Sequence, residues 1–225
     1  MHNYADVMLM GTDNTSSILK TLAEQLQFDD AINIQFTSGT TGSPKGATLS
    51  HHGIVNNARL TAHTMGISDK DIVCIPVPMY HCFGMVIGTL MCAMTGATAV
   101  MPGEAFEPAS VLQAVTDERC TTLYGVPTMF IAMLGLDGFD NYDLNTLRTG
   151  VMAGSPCPVE VMKQVINEMH MHQMTVAYGM TELSPVSNQS LMDDSFDLRV
   201  STVGLTHPHV EKLLIRTIEL SRGVR

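Results

Sequence analysis

Basic residues are scarce in this sequence. Its 225 residues include 12 Lys and Arg against 22 Asp and Glu, which gives a formal net charge of −10 at pH 7. Nucleic acids and anionic membranes are bound by positively charged surfaces, so this balance argues against both as partners. Charged residues make up only 15% of the chain and hydrophobic residues 45%, a composition that excludes a disordered chain and allows a sizeable core.

Paired cysteines are missing as well. Five cysteines are scattered along the chain without a Cys-x-x-Cys motif: Cys74, Cys82, Cys92, Cys120 and Cys157. An odd number at irregular spacing indicates free, buried thiols in a reducing compartment. Tryptophan is absent, whereas methionine occurs 18 times. Methionine at this frequency is expected to fill a core rather than to bind a ligand.

The sequence has no uninterrupted apolar run that is long enough for a membrane-spanning helix. Residues 72–103 contain no Asp, Glu, Lys or Arg, but Pro76, Pro78, His81 and several glycines interrupt them. We therefore expect a strand, a loop, a buried helix and another strand there rather than a membrane span. Residues 1–14 contain no basic segment followed by an apolar one, so neither a signal peptide nor a transit peptide is predicted.

Predicted strands and helices alternate along the chain. Period-two and period-3.6 patterns predict strands at 32–36, 47–49, 72–75, 97–101, 120–124, 150–152 and 173–178, and helices at 16–28, 50–65, 85–94, 107–119, 127–134 and 158–170. Ser16 or Ser17 is expected to cap the first helix and Ser50 the second. The alternation predicts an α/β fold with a mostly parallel sheet flanked by helices. Ligands of such sheets bind beyond the carboxyl ends of the strands, where polar clusters occur at 37–45, 78–84, 153–156 and 178–182.

One of these clusters has the composition of a phosphate-binding loop. Its glycines allow backbone N–H groups to converge, its hydroxyls add donors, and Lys45 adds a positive charge. It is not a Walker loop, because Pro44 stands where that motif has the glycine before the lysine. The composition also fits a solvated Gly/Ser/Thr linker, so both interpretations stay open at the level of composition.

Residues 37–46, Thr-Ser-Gly-Thr-Thr-Gly-Ser-Pro-Lys-Gly, resemble the phosphate-loop signature of the adenylate-forming enzymes. This superfamily includes acyl-CoA synthetases, luciferases and the adenylation domains of peptide synthetases. Residues 32–57 look most similar to the medium-chain acyl-CoA synthetases associated with mitochondria. The resemblance implies that the loop binds nucleotide through Thr37, Ser38, Gly39, Thr40, Thr41, Gly42, Ser43, Pro44 and Lys45.

The segment Tyr178-Gly179-Met180-Thr181-Glu182 resembles a second motif of that superfamily at every fixed position. The resemblance implies that Tyr178 lies against adenine with Gly179 beside it, that Thr181 meets the α-phosphate or the acyl carboxylate, and that Glu182 binds Mg²⁺. Read alone, a Tyr-Gly turn near an acid is a weak signal, since such turns are common.

Two further segments resemble site elements of the superfamily. Gly154, Ser155 and Pro156 are similar to the turn that lines the adenine pocket, although an ordinary strand-to-helix turn would have the same composition. His81 is similar to the histidine beside the reacting carboxylate, although a lone histidine in an apolar run is usually a core residue. With these, the implied catalytic residues are Lys45, His81, Thr181 and Glu182.

We predict no metal site at the other histidines. His51 and His52 are adjacent and point to different faces of a helix, which makes a poor chelate. His170 and His172 share a spacing that suits one strand face, but no other ligand lies near them in sequence. We interpret these two, together with His207 and His209, as free surface histidines.

The resemblance implies a two-step ligase that uses a fatty acid, ATP with Mg²⁺, and CoA. We expect a helical lead-in at residues 1–27, an AMP-binding core that is part of the large N-terminal domain at 28–212, and an atypical tail at 213–225. The ribose-binding Thr-Gly-Asp motif, the hinge motif and the C-terminal lid of the superfamily are not found. The alternative is therefore a truncated, nucleotide-binding and non-catalytic product. The expected location is the mitochondrial matrix, with the cytoplasm as alternative; the sequence predicts no oligomeric state.

Overall fold

The structure is a computed structural model, and it describes residues 3–11, 13–38 and 42–211. The strands are β1 Ala31–Thr37, β2 Lys45–Ser50, β3 Ile72–Cys74, β4 Thr98–Val100, β5 Thr122–Leu123, β6 Thr149–Ala153, β7 Gln173–Gly179, β8 Val186–Gln189 and β9 Leu205–Thr206. The α-helices are α1 Tyr4–Leu9, α2 Asp13–Gln25, α3 His51–Thr64, α4 Cys82–Gly84, α5 Met91–Thr95, α6 Pro108–Glu118, α7 Pro127–Leu134, α8 Val159–Glu168 and α9 Phe196–Ser201.

Within the described ranges, β3 to β9 form one sheet, called here the main sheet, in the order β4-β3-β5-β6-β7-β8-β9. The pairs from β4 to β7 are parallel, and β8 and β9 are added antiparallel. The predicted α/β fold with a mostly parallel sheet is thereby confirmed. The crossover from β3 to β4 runs in the opposite direction to those that join β4, β5, β6 and β7. Because parallel crossovers are right-handed, α4 and α5 cover one face, and α6, α7 and α8 cover the other.

The core lies on both faces of the main sheet. Val73, Leu123, Val151 and Met152 are fully buried in its central strands. Methionines fill much of the remaining space, as the composition predicted: Met65, Met91, Met133, Met162, Met169, Met171 and Met174 have no exposed surface. A strand covered by helices on both faces needs apolar side chains on both, which explains the continuous apolar runs of β3 and β6.

Strands β1 and β2 form a separate antiparallel pair, called here the hairpin, and the predicted phosphate loop connects them. The predicted strand at 32–36 is present, but its apolar alternation points outward. Ile34 and Phe36 are 61% and 76% exposed, whereas the polar Gln35 between them is buried. The inner face of the hairpin is completed by Ala47 and Leu49 from β2.

Several predicted boundaries were wrong. Helix α2 begins at Asp13, so Ser16 and Ser17 lie inside it and cannot cap it. Ser50 does cap α3, where its hydroxyl accepts from the Gly53 N–H at 3.2 Å. The helix predicted at 85–94 starts with α4 and continues through a π-helical turn, Met85–Leu90, into α5. Helices α1 and α9 and strands β8 and β9 were not predicted.

The predictions for thiols and histidines have mixed outcomes. All five cysteines are free, and four of them are buried, with Cys157 half-buried. His207 is buried rather than on the surface, and its Nε2 lies 3.2 Å from Gln189 Oε1. Burial lowers the pKa of His207, because the charged imidazolium would lose hydration. Across the described residues, no helix has both the length and the apolarity to cross a bilayer.

Candidate nucleotide and carboxylate site

The carboxyl ends of three parallel strands bring the predicted site segments together. Strand β3 leads into residues 78–84, β6 into the turn at 153–156, and β7 into residues 178–182. These strands run parallel in the main sheet, so all three segments emerge at the same edge. This edge encloses a cavity of about 330 Å³ lined by Thr37, His81, Phe83, Ile87, Ala153, Gly154, Ala177, Tyr178, Gly179, Met180, Thr181, Glu182, Pro185 and Val186.

The hairpin brings the phosphate loop to this cavity. Thr37 ends β1 and lines the cavity, and it pairs in register with Lys45, the first residue of β2. The loop therefore starts and ends beside the other site segments. Ser38, Gly42, Ser43 and Pro44 are exposed, as is Lys45, which forms no ion pair with any described residue. Gly39, Thr40 and Thr41 lie outside the described residues.

Asn57 on α3 holds the loop that carries Thr181 and Glu182. Its Nδ2 donates to Val186 O at 2.7 Å, and its Oδ1 accepts from Val186 N at 3.1 Å. Asn57 is 6% exposed, so both bonds are shielded from water. A Cβ at Gly179 would lie 1.9 Å from Pro185 O, so only glycine permits the close approach of the two arms of the loop. The loop is thus fixed at its base, while Tyr178 remains 51% exposed and available to stack on a ring.

His81 is the N-cap of α4 and is exposed at the cavity. Its Nδ1 accepts a hydrogen bond from the Phe83 N–H at 3.1 Å. In the neutral ring the proton therefore resides on Nε2. This nitrogen is left as a donor for an anionic group, so the alternative interpretation of His81 as a buried core residue does not describe its position.

Glu182 is suited to bind a magnesium ion whose other ligands are substrate phosphates and water. Its carboxylate is exposed at the cavity and makes no hydrogen bond or ion pair with a described residue. No group of three or more His, Cys, Asp or Glu side chains that suits a metal occurs in the described part of the chain. A single carboxylate matches Mg²⁺, which proteins usually bind with one or two carboxylates while substrate phosphates and water complete the shell.

A second cavity adjoins the first on the other side of the end of β7. It has a volume of about 790 Å³ and shares Gly154, Ala177, Tyr178 and Gly179 with the first cavity. Ser155 and Pro156 line it, as the adenine hypothesis requires of them. Its opposite wall is formed by Arg199, Val200, Ser201, Thr202 and Val203. Tyr178 therefore separates a space beside the small-residue turn from the space around His81 and Thr181.

The motifs identified the residues at the cavity but missed those that support them. Asn57, Gln35 and the wall from α9 were not predicted as site residues. Asn57 lies 129 residues from its partner Val186, and Gln35 lies 47 residues from its partner Cys82. No sequence pattern within a short segment predicts contacts between residues so far apart in the chain. Helix α9 had a usable signal in Ser195, whose hydroxyl caps it by accepting from the Leu198 N–H.

The sequence is similar to those of acyl-CoA synthetases and ligases. A putative acyl-CoA synthetase, YngI, of Bacillus subtilis (strain 168) is 48% identical over 100% of this chain and 41% of its own length. The mitochondrial medium-chain acyl-CoA ligase ACSF2 of Danio rerio is 45% identical over 93% of this chain and 35% of its own length. The chain thus spans well under half of each of these relatives.

Solved structures have the same fold. The anthranilate CoA ligase AuaEII in complex with anthranoyl-AMP matches with a TM-score of 0.74 over 82% of this chain and 35% of its own, at 24% identity. The luciferase-like enzyme of the mealworm Zophobas morio matches with a TM-score of 0.69 over 81% of this chain and 43% of its own. Residues 5–217 match the family described as AMP-binding enzyme, and since this range includes both cavities and the hairpin, the chain belongs to that family.

Proposed function

We propose that this protein is an acyl-CoA ligase that activates a medium-chain fatty acid with ATP and transfers the acyl group to CoA. The carboxylate would attack the α-phosphate, giving an acyl adenylate and pyrophosphate, and the CoA thiol would then displace AMP. One observation carries the proposal: Thr37, His81, Tyr178, Thr181 and Glu182 line a single cavity at the edge of the main sheet. We propose that the AMP-binding core, which contains this cavity, comprises residues 28–212.

The proposed roles follow from the charge and hydrogen-bonding capacity of each side chain. Lys45 and the loop that it closes would hold the β- and γ-phosphates, since this lysine is exposed and without an ion pair among the described residues. Thr181 would donate to the α-phosphate or the carboxylate. Tyr178 would stack on adenine next to Gly154, Ser155 and Pro156. Catalysis of this kind is mainly positioning and charge neutralisation.

His81 would orient the carboxylate before attack. Its Nε2–H is the free donor of the ring, because Nδ1 is already bonded to the Phe83 N–H. Bound to Glu182 and the phosphates, Mg²⁺ would supply charge neutralisation at the leaving pyrophosphate.

The apolar part of the cavity would receive the acyl chain. Phe83 and Ile87 line it, and the ring of Tyr124 packs against Phe83 with 5.1 Å between centroids. The medium-chain assignment rests on the names of the ACSF2 relatives. These names also support a mitochondrial matrix location, whereas the bacterial relative, which is 48% identical, leaves a cytoplasmic location as the alternative. Imaging of a tagged full-length protein against a matrix marker tests this.

Nucleotide binding by the chain is tested first, by thermal unfolding with and without Mg·ATP. At ten times the dissociation constant, ATP adds about 1.4 kcal/mol to the free energy of unfolding, which raises the melting temperature by about 3–6 °C. We expect this rise in the wild type and its loss in Glu182→Gln when Mg²⁺ is present. Glu168→Gln, at the end of α8 away from the cavity, is the matched control and should keep the rise. A wild type that Mg·ATP does not stabilise would contradict the proposal.

Exchange of pyrophosphate into ATP tests the chemistry. Exchange that depends on octanoate, and is weaker with acetate and palmitate, supports a medium-chain ligase. Nucleotide binding without exchange would instead favour the alternative function, a nucleotide-binding product that does not catalyse the first step. Exchange with aromatic acids but not octanoate would contradict the proposed substrate.

A further inference from the structure

Among the residues that the structure describes, the hairpin contacts the rest of the molecule through one face, where Leu49 packs in the core. Its strands pair with no other described strand, and its outer face is exposed at Ile34 and Phe36. An isolated two-stranded hairpin is marginally stable in water. The position of the phosphate loop relative to the other site segments therefore depends on the contacts of the inner face of the hairpin.

Gln35 makes the central contact of that inner face. The Cys82 thiol donates to Gln35 Oε1 with an Sγ–O distance of 2.8 Å, and Gln35 Nε2 donates to Met85 Sδ at 3.6 Å. The amide of Asn33, two residues earlier on the same face, also donates to Met85 Sδ at 3.6 Å. Gln35 is 6% exposed and Cys82 is fully buried, so water cannot replace either partner. Losing one of them would leave the other unsatisfied.

Cys82 also lies close to the loop that carries Thr181 and Glu182, because its chain neighbours His81 and Phe83 line the same cavity as these two residues. A thiol that donates to the Gln35 amide oxygen is in its protonated form. It is also the residue directly after His81. One buried thiol thus lies among three segments that the proposed reaction must keep in register.

We propose that Cys82 is a positioning residue: through its hydrogen bond to Gln35 it fixes the phosphate-loop hairpin against the segments that carry His81 and Thr181. The inference rests on the proposed function in assigning the phosphates to that loop. The contact itself does not depend on that assignment. A buried cysteine often serves only to fill space, so the test has to separate the hydrogen bond from the volume of the side chain.

Three variants make this separation. Cys82→Ala removes the donor, and Cys82→Ser keeps a donor of similar size. Cys92→Ala is the matched control, because Cys92 is a buried free thiol on α5 with no hydrogen-bond partner among the described residues. The first measurement is amide hydrogen exchange of the chain without ligand, over residues 31–37 and 45–50, with β6 as the internal reference.

We expect Cys82→Ala to speed exchange in the hairpin about tenfold while β6 is unchanged, the size expected for one buried hydrogen bond. Cys82→Ser and Cys92→Ala should stay within about twofold of the wild type. Hairpin exchange in Cys82→Ala that matches Cys92→Ala, or a Cys82→Ser that behaves like Cys82→Ala, would overturn the inference. A cycle with Gln35→Ala adds a second criterion: because both single variants break the same hydrogen bond, exchange in the double variant should rise by less than the product of the two single effects.

The dissociation constant for Mg·ATP is the second measurement. It should rise about tenfold in Cys82→Ala and return to within about twofold in Cys82→Ser, although thermal stability without ligand stays close to that of Cys92→Ala. If the wild type binds Mg·ATP and Cys82→Ala binds it equally well, the inference fails and the proposed function stands. If the wild type binds none, the proposed function fails, and the exchange measurement still decides whether Cys82 anchors the hairpin.

Discussion

The hairpin and the main sheet use similar apolar side chains to opposite effect. In the main sheet, Val151 and Met152 are fully buried between two layers of helices. In the hairpin, Ile34 and Phe36 are largely exposed, and the buried position between them belongs to Gln35. The sides of the site proposed for adenine and for the carboxylate are therefore built on a packed core, whereas the proposed phosphate side is held by one face of a hairpin, through Ala47, Leu49 and the polar contacts of Gln35. The pattern of apolar residues in the sequence therefore does not distinguish a strand buried between helices from a strand whose apolar face is exposed.

The largest difference is expected for alanine in place of glycine. A Cβ at Gly150 in β6 would lie 1.9 Å from Leu123 O, a backbone atom of the adjacent strand that cannot move without breaking the pairing. A Cβ at Gly46 in β2 would lie 3.1 Å from Ile34 Cγ2, the tip of an exposed side chain that can shift. Gly150→Ala should lower the free energy of unfolding by about 4 kcal/mol or more, and Gly46→Ala by less than about 1 kcal/mol. Urea unfolding measures both; equal losses would contradict the comparison.

Isoleucine truncation gives the next largest difference. Ile75, which follows β3, is 4% exposed, and Ile34 is 61% exposed. Truncation to alanine should lower the free energy of unfolding by about 3 kcal/mol at Ile75, where a cavity is left, and by less than about 0.5 kcal/mol at Ile34. Urea unfolding of Ile75→Ala and Ile34→Ala is the measurement. A loss at Ile34 as large as at Ile75 would show that another surface covers the hairpin in solution.

The sequence predicted those strands whose apolar residues are buried by helices, and it missed a strand that is buried and polar. In β8, Ser187, Asn188 and Gln189 are buried, although their composition is typical of a surface loop. Their side chains are satisfied by one another and by neighbours: Asn188 Nδ2 donates to Thr206 Oγ1, and Gln189 Nε2 donates to Thr175 Oγ1. His207 is buried for the same reason, against Gln189. Hydrophobic patterns do not report a segment whose partners come from elsewhere in the chain.

The candidate site shows the same limit. His81, Thr181 and Glu182 were predicted from the resemblance of their segments to motifs of the adenylate-forming enzymes, and the parallel strands bring these segments to one edge of the sheet. Asn57 and Cys82 were not predicted as supports, because their roles exist only once distant segments meet. Lys45 was predicted as the cation of the loop, and its binding role remains a prediction.

Asn57 offers a smaller test, since it fixes one loop of the site through two hydrogen bonds to Val186. Asn57→Ala leaves the N–H and C=O of Val186 without their buried partner, which should lower the free energy of unfolding by about 2 kcal/mol. Asn56→Ala is the matched control, because the bonds of Asn56 to described residues stay within its own helix, to His52 O and Arg59. Hydrogen exchange should rise at residues 181–186 in Asn57→Ala alone. A rise that is equal in the hairpin would mean that the two regions move together.

The smallest expected effect concerns acid stability at the opposite edge of the main sheet. Asp71 accepts from Arg148 Nη2 at 2.8 Å, from Thr121 Oγ1 at 2.7 Å and from the Ser68 N–H at 2.9 Å. Burial raises the pKa of this carboxyl, but the hydrogen bonds and the charge of Arg148 outweigh it, so its pKa lies below the ordinary value.

Because the folded pKa is the lower one, the unfolded chain binds the proton more readily, and the contribution of Asp71 is lost as the pH falls below about 4. Asp71→Asn should cost about 1 kcal/mol at pH 7, and its difference from the wild type should shrink toward pH 3. Asp69→Asn, at an exposed position two residues before the buried Asp71, should show neither effect. Urea midpoints across this pH range measure both variants. No ion pair occurs among the described residues of the hairpin, so hairpin exchange relative to β6 should not change with Asp71→Asn. A pH-independent cost would show that Asp71 acts through its shape and not its charge.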